Sequence, residues 1–226
     1  KPTSPAGKFL TPPVSYAGAI TQDESLGSPT APVTLAVYSD FQCPYCGQFV
    51  RQQFATLTTQ FVNTGVLRIE AHDIDIVGTG TGSANQSIEL ATGARCAAAQ
   101  NKYWPYHDYV FWNQLTENSG GYTSDWIASI AQAAGVDMNA WNTCVAGSDA
   151  RGKAIAETNL AHGLGVSSTP SISLNGGPIT AGVPAASTLA AQIQALAAAA
   201  GVSPSSSAGA SPSAPPGASP STPASP

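Results

Sequence analysis

Cys43 and Cys46, in the run Cys43-Pro44-Tyr45-Cys46, are the residues of this chain best suited to chemistry. At that spacing two thiols can close a disulfide or, when reduced, present a thiolate to a foreign disulfide. The run follows Val33 to Tyr38, a short β-branched and aromatic segment that reads as a buried strand, and it opens a segment of helical period. Pro44 falls in the first helical turn, where its missing N–H is no loss. A thiolate at Cys43 then faces unpaired backbone N–H groups and the positive end of a helix dipole, so its pKa is expected below the free value of about 8.5. Cys43 is the expected nucleophile, and Cys46, one turn inside and better shielded, the resolving thiol. Tyr45 brings a phenol able to donate a hydrogen bond but no positive charge, which points to an intermediate oxidant. The alternative is half of a zinc ribbon, which needs a second Cys or His pair at similar spacing. Cys96 and Cys144 stand alone in sequence, and the three histidines form no paired motif, so no metal site is expected. His107 and His162 read as surface or capping residues, because exchange needs only two thiols and a stabilised thiolate.

The elements that must hold these thiols follow from the apolar pattern. From Pro44 onward Cys46, Phe49, Val50, Phe54, Leu57, Phe61 and Val62 recur at helical spacing, and Gly65 supplies a C-terminal stop. Val66 to about Ile76 reads as a second strand, giving a βαβ unit. Roughly Ser83 to His162 reads as several short helices broken by Gly120-Gly121, Gly135 and Gly147. Its aromatic group Tyr103, Trp104, Tyr106, Phe111 and Trp112 is read as core, with a groove wall as the sharper alternative. Strand chemistry returns at Ser171 to Leu174, turns at Asn175-Gly176-Gly177 and resumes at Pro178 to Ala181, a hairpin signal. A last helix from about Pro184 to Ala200 places Leu189, Ile193 and Leu196 on one face. The glycines of 78–82 miss the dinucleotide fingerprint because Ser83 occupies its last position, and the acids of His72-Asp73-Ile74-Asp75 read as a strand end.

Composition narrows the partners. The 226 residues carry a formal net charge of −5 with 8 Lys+Arg and no basic run, which argues against nucleic acid and anionic membrane. A 42% hydrophobic content can supply a substantial core. No uncharged apolar run reaches the length of about 18 residues that a membrane span needs. The chain begins at Lys1, consistent with a targeting or anchoring segment already removed. Four cysteines with a separable second pair suggest an oxidising compartment. Residues 1–17 read as a flexible, proline-containing linker extending away from the domain. Residues 201–226, almost only Ser, Ala, Pro and Gly, read as a disordered tail, a spacer or a glycosylated stalk.

From about Leu26 to Ala200 the sequence resembles the bacterial disulfide oxidoreductases of the DsbA type, especially those exported by high-GC Gram-positive bacteria. The resemblance rests on four ordered anchors. Leu26-Gly27-Ser28 comes first, with Ala31-Pro32-Val33-Thr34. Ser39-Asp40-Phe41-Gln42 runs into the cysteine pair. Ala94-Arg95-Cys96-Ala97 is followed by Tyr103-Trp104-Pro105-Tyr106-His107-Asp108, and Gly165-Val166-Ser167-Ser168-Thr169-Pro170 leads to Leu174-Asn175-Gly176. It implies an α/β, thioredoxin-like fold, a central mixed sheet flanked by helices with an inserted all-helical domain. Residues 18–82 and 163–200 would form the two parts of that fold and 83–162 the insertion. Thr169-Pro170 would be a cis-proline loop facing Cys43, its backbone pairing with an extended substrate segment. Similar proteins also carry a structural disulfide where this chain has Cys96 and Cys144, worth about 4 kcal/mol for its loop length; two buried, reduced cysteines are the alternative.

The activity implied is that of an exported disulfide oxidase without a cofactor. It would act on reduced or unfolded exported proteins and be reoxidised by a membrane quinone-linked thiol oxidase. A reductase or isomerase would use the same residues in reverse, and a redox-inert exported binding module would not use the thiols at all. Tyr45 departs from the histidine of the best-known strong oxidant.

Overall fold

Val33, Leu35 and Val37 alternate with the less buried Thr34 and Ala36, so one edge of this segment faces a core and the other a covering layer. The computed structural model describes residues 9–14, 16, 19–78 and 85–202. In it this segment is β3 (Val33–Ser39), preceded by the two-residue strands β1 (Thr21–Gln22) and β2 (Ser25–Leu26). β4 (Leu67–Asp73), β5 (Ser171–Leu174) and β6 (Thr180–Ala181) complete a six-stranded mixed sheet in the order β1-β2-β4-β3-β5-β6. β3 and β4 are parallel, with Val33 opposite Leu67 and Ser39 opposite Asp73; every other pairing is antiparallel.

Helix α1 joins the parallel pair. It runs through the α-helical stretches Pro44–Phe49 and Ala55–Leu57, interleaved with the π-helical stretches Val50–Phe54 and Thr58–Val62. All seven of its periodic apolar residues are buried, each large one contributing roughly 1.5–3 kcal/mol by leaving water. Gly65, at φ +75°, ends the segment in a conformation that costs other residues their Cβ clearance.

Among the described residues five helices lie between β4 and β5: α2 (Gln86–Ala98), α3 (Tyr103–Trp112), α4 (Ser124–Ala133), α5 (Met138–Ala146) and α6 (Asp149–Gly163). Aromatic α3 seats this block on the sheet: Trp104 Nε1 donates to Ser25 O at 3.0 Å and Tyr103 Oη to Asp73 Oδ1 at 2.9 Å. Tyr103, Trp104, Tyr106 and Phe111 are core, and Trp112 is half-buried. The last helix, α7 (Ala186–Ala199), buries Leu189, Ile193 and Ala197, with Leu196 only partly covered.

Several expectations shift. The second strand stops at Asp73 rather than Ile76, because the N–H groups of Ile76 and Val77 bond the Asp40 carboxylate instead of a neighbouring strand. The β1-β2 hairpin, at two residues a strand, is too short for a period to register. Part of the segment read as an outward linker packs on the body: Phe9 sits edge-on to Trp126, Leu10 N donates to Asn113 Oδ1 at 2.7 Å, and Tyr16 meets Trp104. Aromatic anchoring outweighs the extended bias of Pro12 and Pro13. Residues 79–84, with most of the glycine-rich stretch, and the tail from 203 lie outside the described residues.

Candidate active site

β3 ends at Ser39 and the chain turns through Asp40 to Gln42 before Cys43, whose extended backbone (φ −68°, ψ 119°) caps α1 with Pro44 next. That turn is held by a buried carboxylate. Asp40 Oδ1 accepts from Gln42 N and Ser87 Oγ, both at 2.8 Å, while Oδ2 accepts from Ile76 N at 2.9 Å and Val77 N at 2.8 Å. Burial pushes the Asp40 pKa up and these four donors pull it back. Gln114 closes the other side, its Nε2 donating to Phe41 O and Cys43 O at 2.9 Å each. Its Oε1 lies where a Cβ on Gly47 would come within 2.2 Å, so glycine there lets the amide reach over the helix start. Asp40 and Gln42 were legible only as parts of an anchor, and Ser87 and Gln114 carried no signal, being distant in sequence from the turn they secure.

Both thiols are reduced, with Cys43 4% and Cys46 1% exposed. The Cys43 S–H donates to Thr169 O at 3.2 Å. A hydrogen bond from the Cys46 thiol is the largest influence lowering the Cys43 pKa, to about 6. Burial opposes it, and the Thr169 side chain and the backbone N–H groups of Cys46 and Tyr45 add to it. Cys46 moves the other way, held well above the ordinary thiol range by burial first and then by its neighbour Cys43. The helix-start N–H groups expected to stabilise the thiolate do contribute, but less than the partner thiol does.

The folded pKa of Cys43 lies below its unfolded value, so its ionisation stabilises the reduced fold above the unfolded pKa. That contribution is lost as pH falls through about 6. Ultraviolet thiolate absorbance of the reduced protein should therefore show one inflection near 6 with an amplitude of one thiolate. A first inflection in the ordinary range near 8.5 would contradict the arrangement.

The Thr169-Pro170 peptide is cis, and Thr169 lies beside Cys43, 126 positions away in sequence. Tyr45 is 69% exposed, and its hydroxyl makes no hydrogen bond among the described residues. Cys96 and Cys144 are bonded (S–S 2.01 Å, Cα–Cα 5.7 Å), tying α2 to α5 inside the helical block. Among the described residues no cluster of three or more His, Cys, Asp or Glu side chains gathers as metal ligands would. His162 is exposed, but His107, expected at the surface, is 4% exposed in the core of α3. The aromatic residues flanking His107 in sequence face the sheet and carry it inward with them.

A groove of about 380 Å³ opens alongside, lined by Tyr45, Gln48, Phe49, Gln52, Gln53, Thr169, Pro170, Gly182 and Val183. A depressed thiol at a strand-to-helix junction, a shielded partner one turn on and a cis-proline loop opposite, carried on a mixed sheet flanked by helices, form the site of a thiol-disulfide oxidoreductase. A family model described as Thioredoxin matches residues 21–195, and the chain belongs to that family. It is 23% identical over 161 residues to the probable disulfide bond formation protein D of Bacillus cereus, covering 70% of this chain and 72% of that one. It is 27% identical over 154 residues to the serine/threonine-protein kinase PknE of Mycobacterium tuberculosis, covering 64% of this chain but only 27% of the kinase. The crystal structure of oxidised BdbD from Bacillus subtilis shares the fold with a TM-score of 0.65 at 16% identity, over 79% of this chain and 97% of that one.

Proposed function

We propose that the chain is an extracytoplasmic disulfide oxidase that introduces disulfides into exported proteins through the Cys43-Cys46 couple. The observation carrying this reading is the Cys43 thiol, lowered to about 6 beside the backbone of Thr169. A thiolate favoured in the reduced enzyme makes the couple more oxidising, and about 6 lies between the values of about 7 for thioredoxin and about 3.5 for DsbA. An intermediate oxidant is the result. In the forward step a substrate thiolate attacks the Cys43 sulfur of the oxidised pair and Cys46 leaves as thiolate. The substrate's second thiolate then attacks its own sulfur in the mixed disulfide, and Cys43 departs, readily because its pKa is low.

The open groove beside Thr169 and Pro170 suits an extended segment whose main chain pairs with the loop, which tolerates varied sequences. Residues 83–162 serve as the helical insertion between the two parts of the fold, 18–82 and 163–200. The Cys96–Cys144 bridge supports an oxidising compartment, and no described helix is long and apolar enough to cross a membrane. Reoxidation would fall to a membrane quinone-linked thiol oxidase, as in the similar family. Oxidative refolding of a reduced, disulfide-containing protein, run beside insulin reduction, tests the direction. Refolding activity exceeding insulin reduction is expected; activity in the insulin assay alone would assign a reductase, and none in either a binding module.

A further inference from the structure

Behind the active-site helix, Cys46 and His107 line the same internal space, about 10 Å³ in volume, at the lower limit of room for one water molecule. The rest of its wall is apolar apart from Ser39, with Trp104, Phe54, Val37 and Ile69 among the lining side chains. Cys46, at 1% exposed, must gain and lose a proton each time the disulfide opens and closes, yet it has almost no contact with bulk water. Of the side chains around this space, His107 is the base.

The orientation of that imidazole is set from the far side. His107 Nδ1 lies 2.8 Å from Asp108 Oδ1, and a carboxylate can only accept, so Nδ1 carries the proton of the neutral ring. Nε2 is left as the basic nitrogen, without a hydrogen-bond partner among the described residues. Asp108 is itself fixed by Tyr16 Oη, which donates to Oδ2 at 2.6 Å. Other ionisable groups face the ring from neighbouring elements. β4 supplies Asp73, held up at about 6 by burial and bonded to Tyr103 of α3. Asp73 is in turn within reach of the charge of Arg95 of α2, whose guanidinium bonds Glu24 at 2.8 Å.

We propose that His107 is the proton acceptor and donor for the Cys46 thiol, with Asp108 and Tyr16 as positioning residues; this rests on Cys43 being the nucleophile. When the enzyme disulfide forms from a mixed disulfide, the Cys46 proton passes to His107 Nε2. The Cys46 thiolate then attacks the Cys43 sulfur, the Cys43–Cys46 bond replaces the bond to the substrate, and the substrate leaves as thiolate. When a substrate thiolate opens that bond, the imidazolium returns the proton to departing Cys46. No further oxidant or reductant enters either step.

The test is a rapid-quench measurement. Reduced full-length protein is mixed with glutathione disulfide from about pH 5 to about pH 9, spanning the imidazole range, then acid-quenched and resolved by mass. Glutathione on Cys43 forms first, and its decay reports attack by Cys46. The native decay rate should rise with pH through one inflection and then level. His107→Phe should slow decay roughly a hundredfold at pH 7 and leave a rate that climbs with direct thiol ionisation, while formation of the adduct stays within about twofold. Asp73→Asn should keep the native inflection.

An unchanged profile in His107→Phe overturns the proposal, as does an inflection that disappears in Asp73→Asn. Should His107→Phe not fold, the native profile decides: decay that rises log-linearly to alkaline pH without an inflection also overturns it. Failure of a different kind, with no adduct on Cys43 at all, would instead remove the nucleophile assignment beneath it.

Discussion

Replacing Cys43 with serine should abolish thiol-disulfide exchange, a loss of at least about a thousandfold, because a hydroxyl is not ionised near neutrality and forms no disulfide. Replacing Cys46 with alanine should do something different. Its thiol is the largest influence holding Cys43 at about 6, so removing it should return Cys43 toward the ordinary thiol range. The variant should also accumulate as a stable mixed disulfide on Cys43, since no resolving sulfur remains. Peptide mapping of the trapped species and thiolate absorbance against pH read the two effects separately. Exchange retained in Cys43→Ser, or trapping on Cys46 in the reciprocal variant, would reverse the roles assigned to the two sulfurs.

Removing the second cysteine pair should act on stability and leave the site chemistry alone. The Cys96–Cys144 bridge closes a loop with a sequence separation of 48, and the denatured chain regains about 4 kcal/mol of conformational freedom when it is cut. The bridge ties α2 to α5 and includes neither thiol of the Cys43-Cys46 pair. The double variant Cys96→Ala/Cys144→Ala should therefore shift the denaturant midpoint of unfolding by the equivalent of about 2–4 kcal/mol at unchanged slope. Its Cys43 titration should still centre near 6. A shift in stability below about 1 kcal/mol would show that the denatured chain or the native helices absorb the loss of the bridge.

Much of the architecture was legible because it is local. The apolar period of Cys46 through Val62, the strand chemistry of Val33 to Tyr38 and the Asn175-Gly176 turn, whose residues both take positive φ, depend on neighbours a few positions away. So does the placement of a thiol at a helix start, which identifies Cys43 as the sulfur whose charge is favoured. Pairing of Cys96 with Cys144 and the approach of Thr169 to Cys43 came from resemblance instead, since no local rule joins residues that far apart.

By itself the sequence determined which sulfur stands at the helix start, which lies one turn inside and which elements carry them, because helix ends and side-chain periods are short-range properties of the backbone. Only the tertiary structure decided how far the two pKa values diverge, since that depends on burial of Cys46, its hydrogen bond to Cys43 and the arrival of Thr169. It also decided that Asp40 and Gln114 secure the turn, that Phe9 and Tyr16 dock on the body, and that His107 stands behind Cys46. Each of these is a contact across tens of residues, created when apolar faces pack and polar groups carried inward must find partners there.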